Sequence, residues 1–236
     1  MFWERFFDSL TVGAKVRIPT IRHGYEAKEW DAIGLFLLKG FLQCSYFPLA
    51  LSRVYVKLVL GGEELITNEE LLNELLRFVA KDDSDVISDC LAGNLECDSE
   101  EILDVLSAYD VRQVPSVNNV QEVFTKLAHK EIVQKPNYIT ERWSAILLPV
   151  KEKRLKDLDI LYEKLEPTTK KVLKMLKCEP ANDAERLVFS YLKRFVKGLE
   201  SNQLKRFLIF TTGCDLMICD YLNISFTKTD GFPDDP

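Results

Sequence analysis

Residues 31–43, DAIGLFLLKGFLQ, are apolar on almost every side of a helix. A helix that offers water no polar face belongs inside a core. Whatever this chain folds into is therefore built around a buried helix, with other elements laid against it. Gly34 and Gly40 interrupt it, each costing about 1 kcal/mol relative to alanine. They are expected where a neighbouring group comes close. The apolar run goes on to Leu60, with Pro48 expected to open a second buried helix at its first turn and Gly61-Gly62 to end it. Lys39, Arg53 and Lys57 fall inside that run. A membrane-spanning helix needs about 20 mostly apolar residues without such charges, so no membrane partner is expected.

Helical signals continue downstream. Thr67 and Glu70 have capping-box spacing, ahead of Leu71, Leu72, Leu75, Leu76 and Val79. Asp98 and Glu101 repeat the device before Ile102, Leu103 and Leu106. The stretches between, AKDDSDVISD and LAGNLECDSE, are acidic and expected on the surface. Asn118 or Asn119 starts a helix with Val120, Val123, Phe124, Leu127 and Ala128 on one face. Further helices are expected over about 138–148, 154–165 and 168–177. The residues before Glu29 read as irregular, with a short β-like alternation in TVGAKVRIPTIRHG.

The pattern breaks at KCEPANDAERL. Pro180 disfavours helical geometry at Glu179, and Asn182 can cap a new helix, with Glu185 three residues on. That helix places Leu187, Val188, Tyr191, Leu192, Phe195, Val196 and Leu199 on one stripe. A second runs from Asn202 to about Phe210 and stops at Gly213. Leu222, Ile224 and Phe226 then alternate with Asn223, Ser225 and Thr227, which is strand periodicity. The expected fold class is mainly α with a small α/β C-terminal part.

Chemistry is sparse. Lys plus Arg total 31 against 37 Asp plus Glu, a net charge of −6, which suits phosphate backbones poorly and argues against nucleic acid. The six cysteines, Cys44, Cys90, Cys97, Cys178, Cys214 and Cys219, include no CxxC pair, and the histidines are only His23 and His129. No spacing supplies a zinc site, so no metal is expected. His129 reads as a partly buried structural residue. The run KEKRLK at Lys151–Lys156, and Lys170, Lys171, Lys174 and Lys177, read as solvated helix faces. MFWERFFDSL is interrupted by Glu4, Arg5 and Asp8 too early for a secretory signal, which places the chain in the reducing cytoplasm or nucleus.

The closing segment, ANDAERLVFSYLKRFVKGLESNQLKRFLIFTTGCDL, resembles the start of the C-terminal lobe of HECT-type ubiquitin ligases, in a divergent short form. Such proteins have an aromatic-striped helix, here with Tyr191 and Phe195, then a helix ending in a Phe-x-Thr-Gly-like turn, here Phe210, Thr211, Thr212 and Gly213. NISFTKTDGFPDDP is similar to the lead-in to the family's catalytic segment. EWDAIGLFLLKGFLQCSYFPLALSRVYVKLVLGG is similar to a helix pair in the N-terminal lobe. The resemblance implies a bilobal architecture: residues 1–179 as a partial N-lobe-like helical body, and residues 180–236 as an incomplete C-lobe. It implies Cys178, Glu179, Pro180, Ala181 and Asn182 as the interlobe hinge. Ubiquitin and a ubiquitin-conjugating enzyme are the implied partners, and no cofactor is implied.

The family transfers ubiquitin through a cysteine thioester, on a Thr-Cys dipeptide that follows the strand. None of the six cysteines stands there: Cys214 and Cys219 precede the strand, Cys178 sits at the joint, and Cys44, Cys90 and Cys97 lie in the body. No residue of this chain is assigned as catalytic, and the accepting cysteine is expected beyond Pro236. The alternatives are a catalytically inactive HECT-like scaffold and an unrelated helical interaction domain.

Overall fold

The computed structural model describes residues 2–154 and 158–227, with the backbone alone described for 152–154. It is mainly helical. The chain divides into two compact units, Met1–Gln43 with Phe47–Leu161, and Cys44–Tyr46 with Tyr162–Pro236. Among the described residues, no helix is long and apolar enough to cross a membrane.

The first unit opens with α1 (Phe2–Leu10), a helix where irregular chain was expected. Its aromatic residues supply the reason: Phe6 and Leu10 are buried, and Phe2 packs on Phe36 with ring centroids 4.4 Å apart. β1 (Thr11–Val12) and β2 (Ile18–Pro19) pair antiparallel. Then come α2 (Ala27–Cys44), α3 (Arg53–Gly61), a 3-10 turn (Glu63–Leu65), α4 (Asn68–Phe78), α5 (Lys81–Leu91), α6 (Glu100–Ala108) and α7 (Val120–His129). A π-helical turn (Lys130–Gln134) leads into α8 (Asn137–Ile146) and α9 (Leu148–Arg154). The expected helix over 154–165 is α10 (Leu158–Leu165); its residues 155–157, and with them part of the KEKRLK run, lie outside the described residues.

α2 is not buried all round. Trp30, Ile33, Gly34, Leu37 and Phe41 face inward at helical spacing, while Leu35, Phe36 and Leu42 are about half exposed. The inner face meets α8 at Trp143, which is 1% exposed and donates its indole N–H to the Trp30 carbonyl at 2.9 Å. Phe6, Trp30 and Tyr55 each lie within 6.4 Å of the Trp143 ring, centroid to centroid. Gly34 is there because the indole is: a Cβ would lie 2.9 Å from Trp143 Cδ1 and 3.2 Å from Ile146 Cδ1. Asp31 and Arg142 close the same helix pair at its rim, Arg142 Nε donating to Asp31 at 2.7 Å. That guanidinium holds the Asp31 carboxyl below its ordinary range.

α3 begins at Arg53 and not at Pro48. Ser52 is the cap, accepting the Tyr55 N–H at 3.0 Å and donating to the buried Glu74 carboxylate of α4. Pro48 instead forms a turn in which the Leu51 N–H reaches its carbonyl. Thr67 and Glu70 form the expected capping box, and Lys57 also donates to Glu70 at 2.7 Å. Ahead of α6 the cap is Ser99, not Asp98. Ahead of α7, Asn119 takes the Ser116 N–H at 2.7 Å and makes no cap bond to the helix. The acidic stretch 81–91 is itself helix α5, exposing Asp82, Asp85 and Asp89 while burying Ile87 and Cys90. His129 has a carboxylate partner, Glu63, with Nε2 2.7 Å from Oε1.

The second unit holds α11 (Thr169–Met175), β3 (Leu176–Lys177), α12 (Asp183–Lys197), α13 (Ser201–Thr212) and β4 (Leu222–Asn223). Its core is Val172, Met175, Leu176, Val196, Leu204 and Leu208.

Replacing Gly34 by alanine tests the packing at α2. Helix propensity favours alanine by about 1 kcal/mol, and overpacking against the indole costs about 1–3 kcal/mol. We expect G34A to unfold at lower urea; a variant as stable as the parent would remove the close approach as the reason for the glycine.

Candidate functional site

Asn182 and Glu185 start α12 by exchanging bonds. Asn182 Oδ1 accepts the Glu185 N–H at 2.9 Å, and Glu185 Oε2 accepts the Ala181 N–H at 2.7 Å. This fixes where the chain turns after Pro180. The joint Cys178–Asn182 lies inside the second unit, because α11 before it and α12 after it share one core; the division between units falls earlier, at Leu161/Tyr162 within α10.

The expected 168–177 helix stops at Met175, and its last two residues are strand β3. β4 pairs with it in parallel, Leu176 opposite Leu222 and Lys177 opposite Asn223. The Ile224 N–H continues the ladder to the Lys177 carbonyl at 2.9 Å. Parallel neighbours need a long crossover, and α12 with α13 supplies it. The alternation read over 222–227 persists in burial: Leu222, Ile224 and Phe226 are half-buried, and Asn223, Ser225 and Thr227 exposed. Only Leu222–Asn223 form regular ladder, while Leu222 and Ile224 pack on the core below. The chain beyond Thr227, including Lys228–Pro236, lies outside the described residues.

The joint and the closing strand thus meet. Lys177, Cys178, Glu179 and Glu185 face Asn223, Ile224, Ser225 and Phe226 across a cleft of about 410 Å³. Glu185 is committed to capping: its Oε2 accepts the Ala181 N–H and its Oε1 accepts the Asn182 side-chain amide, so the carboxylate is held locally rather than offered to a ligand. Among the described residues β3 is the sole strand beside β4.

Phe210, Thr211, Thr212 and Gly213 form the end of α13. Gly213 takes the left-handed conformation, φ 78°, and its N–H reaches the Ile209 carbonyl at 2.9 Å. Thr212 Oγ1 donates to the Leu208 carbonyl at 2.8 Å and accepts the Cys214 N–H at 3.3 Å, stitching helix to turn. Phe210 is 89% exposed. After the turn, the Met217 N–H bonds the Leu165 carbonyl at 2.9 Å, which ties the coil leading to β4 to the end of α10.

The stripe read on α12 splits in two. Leu192, Val196 and Leu199 pack on the core, joined by Phe189, which the stripe did not include, whereas Leu187, Val188, Tyr191 and Phe195 are each more than half exposed. Among the described residues the first set is packed and the second is left largely exposed, a division that periodicity alone does not reveal.

The cysteines are unequal. Burial, and then neighbouring Cys97, push the Cys90 thiol up to about 11. Burial also raises Cys214, although the Leu216 N–H donated to its sulfur at 3.4 Å opposes the shift. A thiol raised in this way is the reverse of an activated nucleophile. Cys44 is exposed, and Cys97, Cys178 and Cys219 are half-buried. Among the described residues, no group of His, Cys, Asp and Glu could hold a metal ion.

Two outcomes follow. G213A should cost about 1 kcal/mol, because the added Cβ meets nothing within 4 Å and only the left-handed backbone is penalised; Gly213→Asn should cost less. Equal stability of all three proteins would show that the turn is not held left-handed. Alkylation by iodoacetamide at neutral pH, followed by peptide mass spectrometry, should label Cys44 before Cys214, with Cys90 last; early labelling of Cys214 would contradict the burial argument.

No protein-family model, curated protein or solved structure matches the chain.

Proposed function

We propose that this chain is part of a HECT-type ubiquitin-protein transferase, the part that orients the strand leading to the accepting cysteine without itself containing that cysteine. The observation that carries this reading is the order along the second unit: a capped aromatic-rich helix, a helix ended by Gly213, and β4 laid parallel to β3 beside the Cys178–Asn182 joint. The two helices and the strand β4 follow one another in the order the resemblance implies ahead of a Thr-Cys dipeptide. The division into two units is compatible with a bilobal protein.

In such a transferase a thiolate attacks the thioester carbonyl between ubiquitin and the conjugating enzyme. The conjugating enzyme's thiolate leaves, and a substrate lysine amine then attacks the new thioester, forming an amide and expelling the accepting cysteine as its thiolate. Cys214 and Cys90 are held toward the protonated thiol, so neither is suited to the first step. In this reading residues 178–182 set the turn that aligns β3 with β4, and Cys178 is a packing residue at its edge.

A second reading, a catalytically inactive HECT-like scaffold, draws on the exposed Leu187, Val188, Tyr191 and Phe195. It has binding without transfer.

The test is incubation of the chain with activating enzyme, a panel of ubiquitin-charged conjugating enzymes, ubiquitin and ATP. We expect a complex with at least one charged conjugating enzyme and no thiol-sensitive ubiquitin adduct on the chain. An adduct on Cys214 or Cys219 would overturn the placement of the nucleophile. Binding to no charged conjugating enzyme would overturn the HECT reading.

A further inference from the structure

α11 and α12 flank an open surface groove of about 750 Å³ lined by Thr169, Lys170, Leu173, Lys174, Lys193, Arg194 and Lys197. Lys170 and Lys174 stand one turn apart on α11, and Lys193 and Lys197 one turn apart on α12, so two short rows of ammonium groups face the same space. All five cations are exposed, and no carboxylate is in the lining. The contacts that steady two of them are with rings: Lys193 Nζ lies 4.1 Å from the centre of Phe189, and Arg194 Cζ 5.9 Å from that of Tyr191. Lys171, adjacent in sequence, is used differently. It donates to the carbonyls of Glu163 and Glu166 near the end of α10, so the grouping at the groove is selective.

Five cations crowded without an acid repel one another, and they do so in a chain whose net charge is −6. Such a concentration is favourable when an anion fills it. Two features restrict that anion. The floor is apolar, formed by Leu173 and the methylene stems of the lysines. The cations of the lining come from about one turn of each helix. An extended polynucleotide needs a longer basic track and open aromatic faces to stack on. Here the nearest rings already carry Lys193 and Arg194.

We propose that this groove docks an acidic protein segment, with one apolar side chain on Leu173 and carboxylates reaching Lys170 and Lys174 on one side and Lys193, Arg194 and Lys197 on the other. The site does not depend on ubiquitin transfer, and either can fail without the other.

The experiment is fluorescence anisotropy on the full chain with four labelled probes: a short glutamate-rich peptide carrying one central leucine, its leucine-to-alanine form, its glutamate-to-glutamine form, and a short single-stranded oligonucleotide. The leucine peptide should bind saturably and weaken as salt rises. The alanine form should bind more weakly, and the glutamine form not measurably. The double variant K193E/K197E should lose about tenfold in affinity, from two exposed pair contacts reversed in sign. Lys170→Gln with Lys174→Gln, on the other helix, should weaken binding in the same direction with unchanged helical circular dichroism. The proposal is overturned by no saturable binding of the leucine peptide, by equal binding of the glutamine form, by an oligonucleotide that binds more tightly than the peptide, or by variants with undiminished affinity.

Discussion

The parallel pairing of Leu176–Lys177 with Leu222–Asn223 rests on the six side chains packed with it: Val172, Met175, Leu176, Val196, Leu204 and Leu208. A ladder of two residues has no stability of its own. It persists because Leu176 is in that core and Leu222 and Ile224 lie against it, so backbone pairing and apolar burial fix each other. α11, α12 and α13 all contribute to the core, which makes the position of β4 a property of the whole unit. The joint at Pro180 and the turn at Gly213 then have defined tasks. One returns the chain into α12, and the other releases it from α13 toward the strand.

The first unit answers to a different constraint, the space around one indole. Trp143 brings α2 and α8 together, forces the glycine at 34, and sits among Phe6, Trp30 and Tyr55. Its N–H is satisfied by the Trp30 carbonyl, so a large polar-tipped ring is buried without an orphaned donor. The buried Glu74 is handled similarly: Ser52 donates to it while capping α3, and Arg77 of its own helix lies 3.4 Å away. Both arrangements couple a helix end or helix face to a partner distant in sequence.

That coupling separates what the sequence made legible from what it did not. The boxes at Thr67–Glu70 and Asn182–Glu185 and the stop at Gly213 are local, decided within four residues, and they were readable. Ser52 as a cap depends on a carboxylate 22 residues away, and Pro48, an ordinary helix opener, was the stronger local signal. Leu176–Lys177 reads locally as the end of a helix because its strand partner arrives only at Leu222. The stripe on α12 was visible, but its division into a packed and an exposed half depends on where α11 and α13 lie. The basic groove was hidden for the same reason: lysines read separately as wet helix faces converge only when two helices pack.

The central claim is that β4 leads toward an accepting cysteine supplied by the residues that follow it. Reading the transcript past the codon for Pro236 tests this most directly. The account predicts an open frame that soon encodes a Thr-Cys dipeptide followed by apolar strand residues. A stop codon directly after Pro236, or an open frame without such a cysteine, would contradict it and leave the chain to act by binding alone.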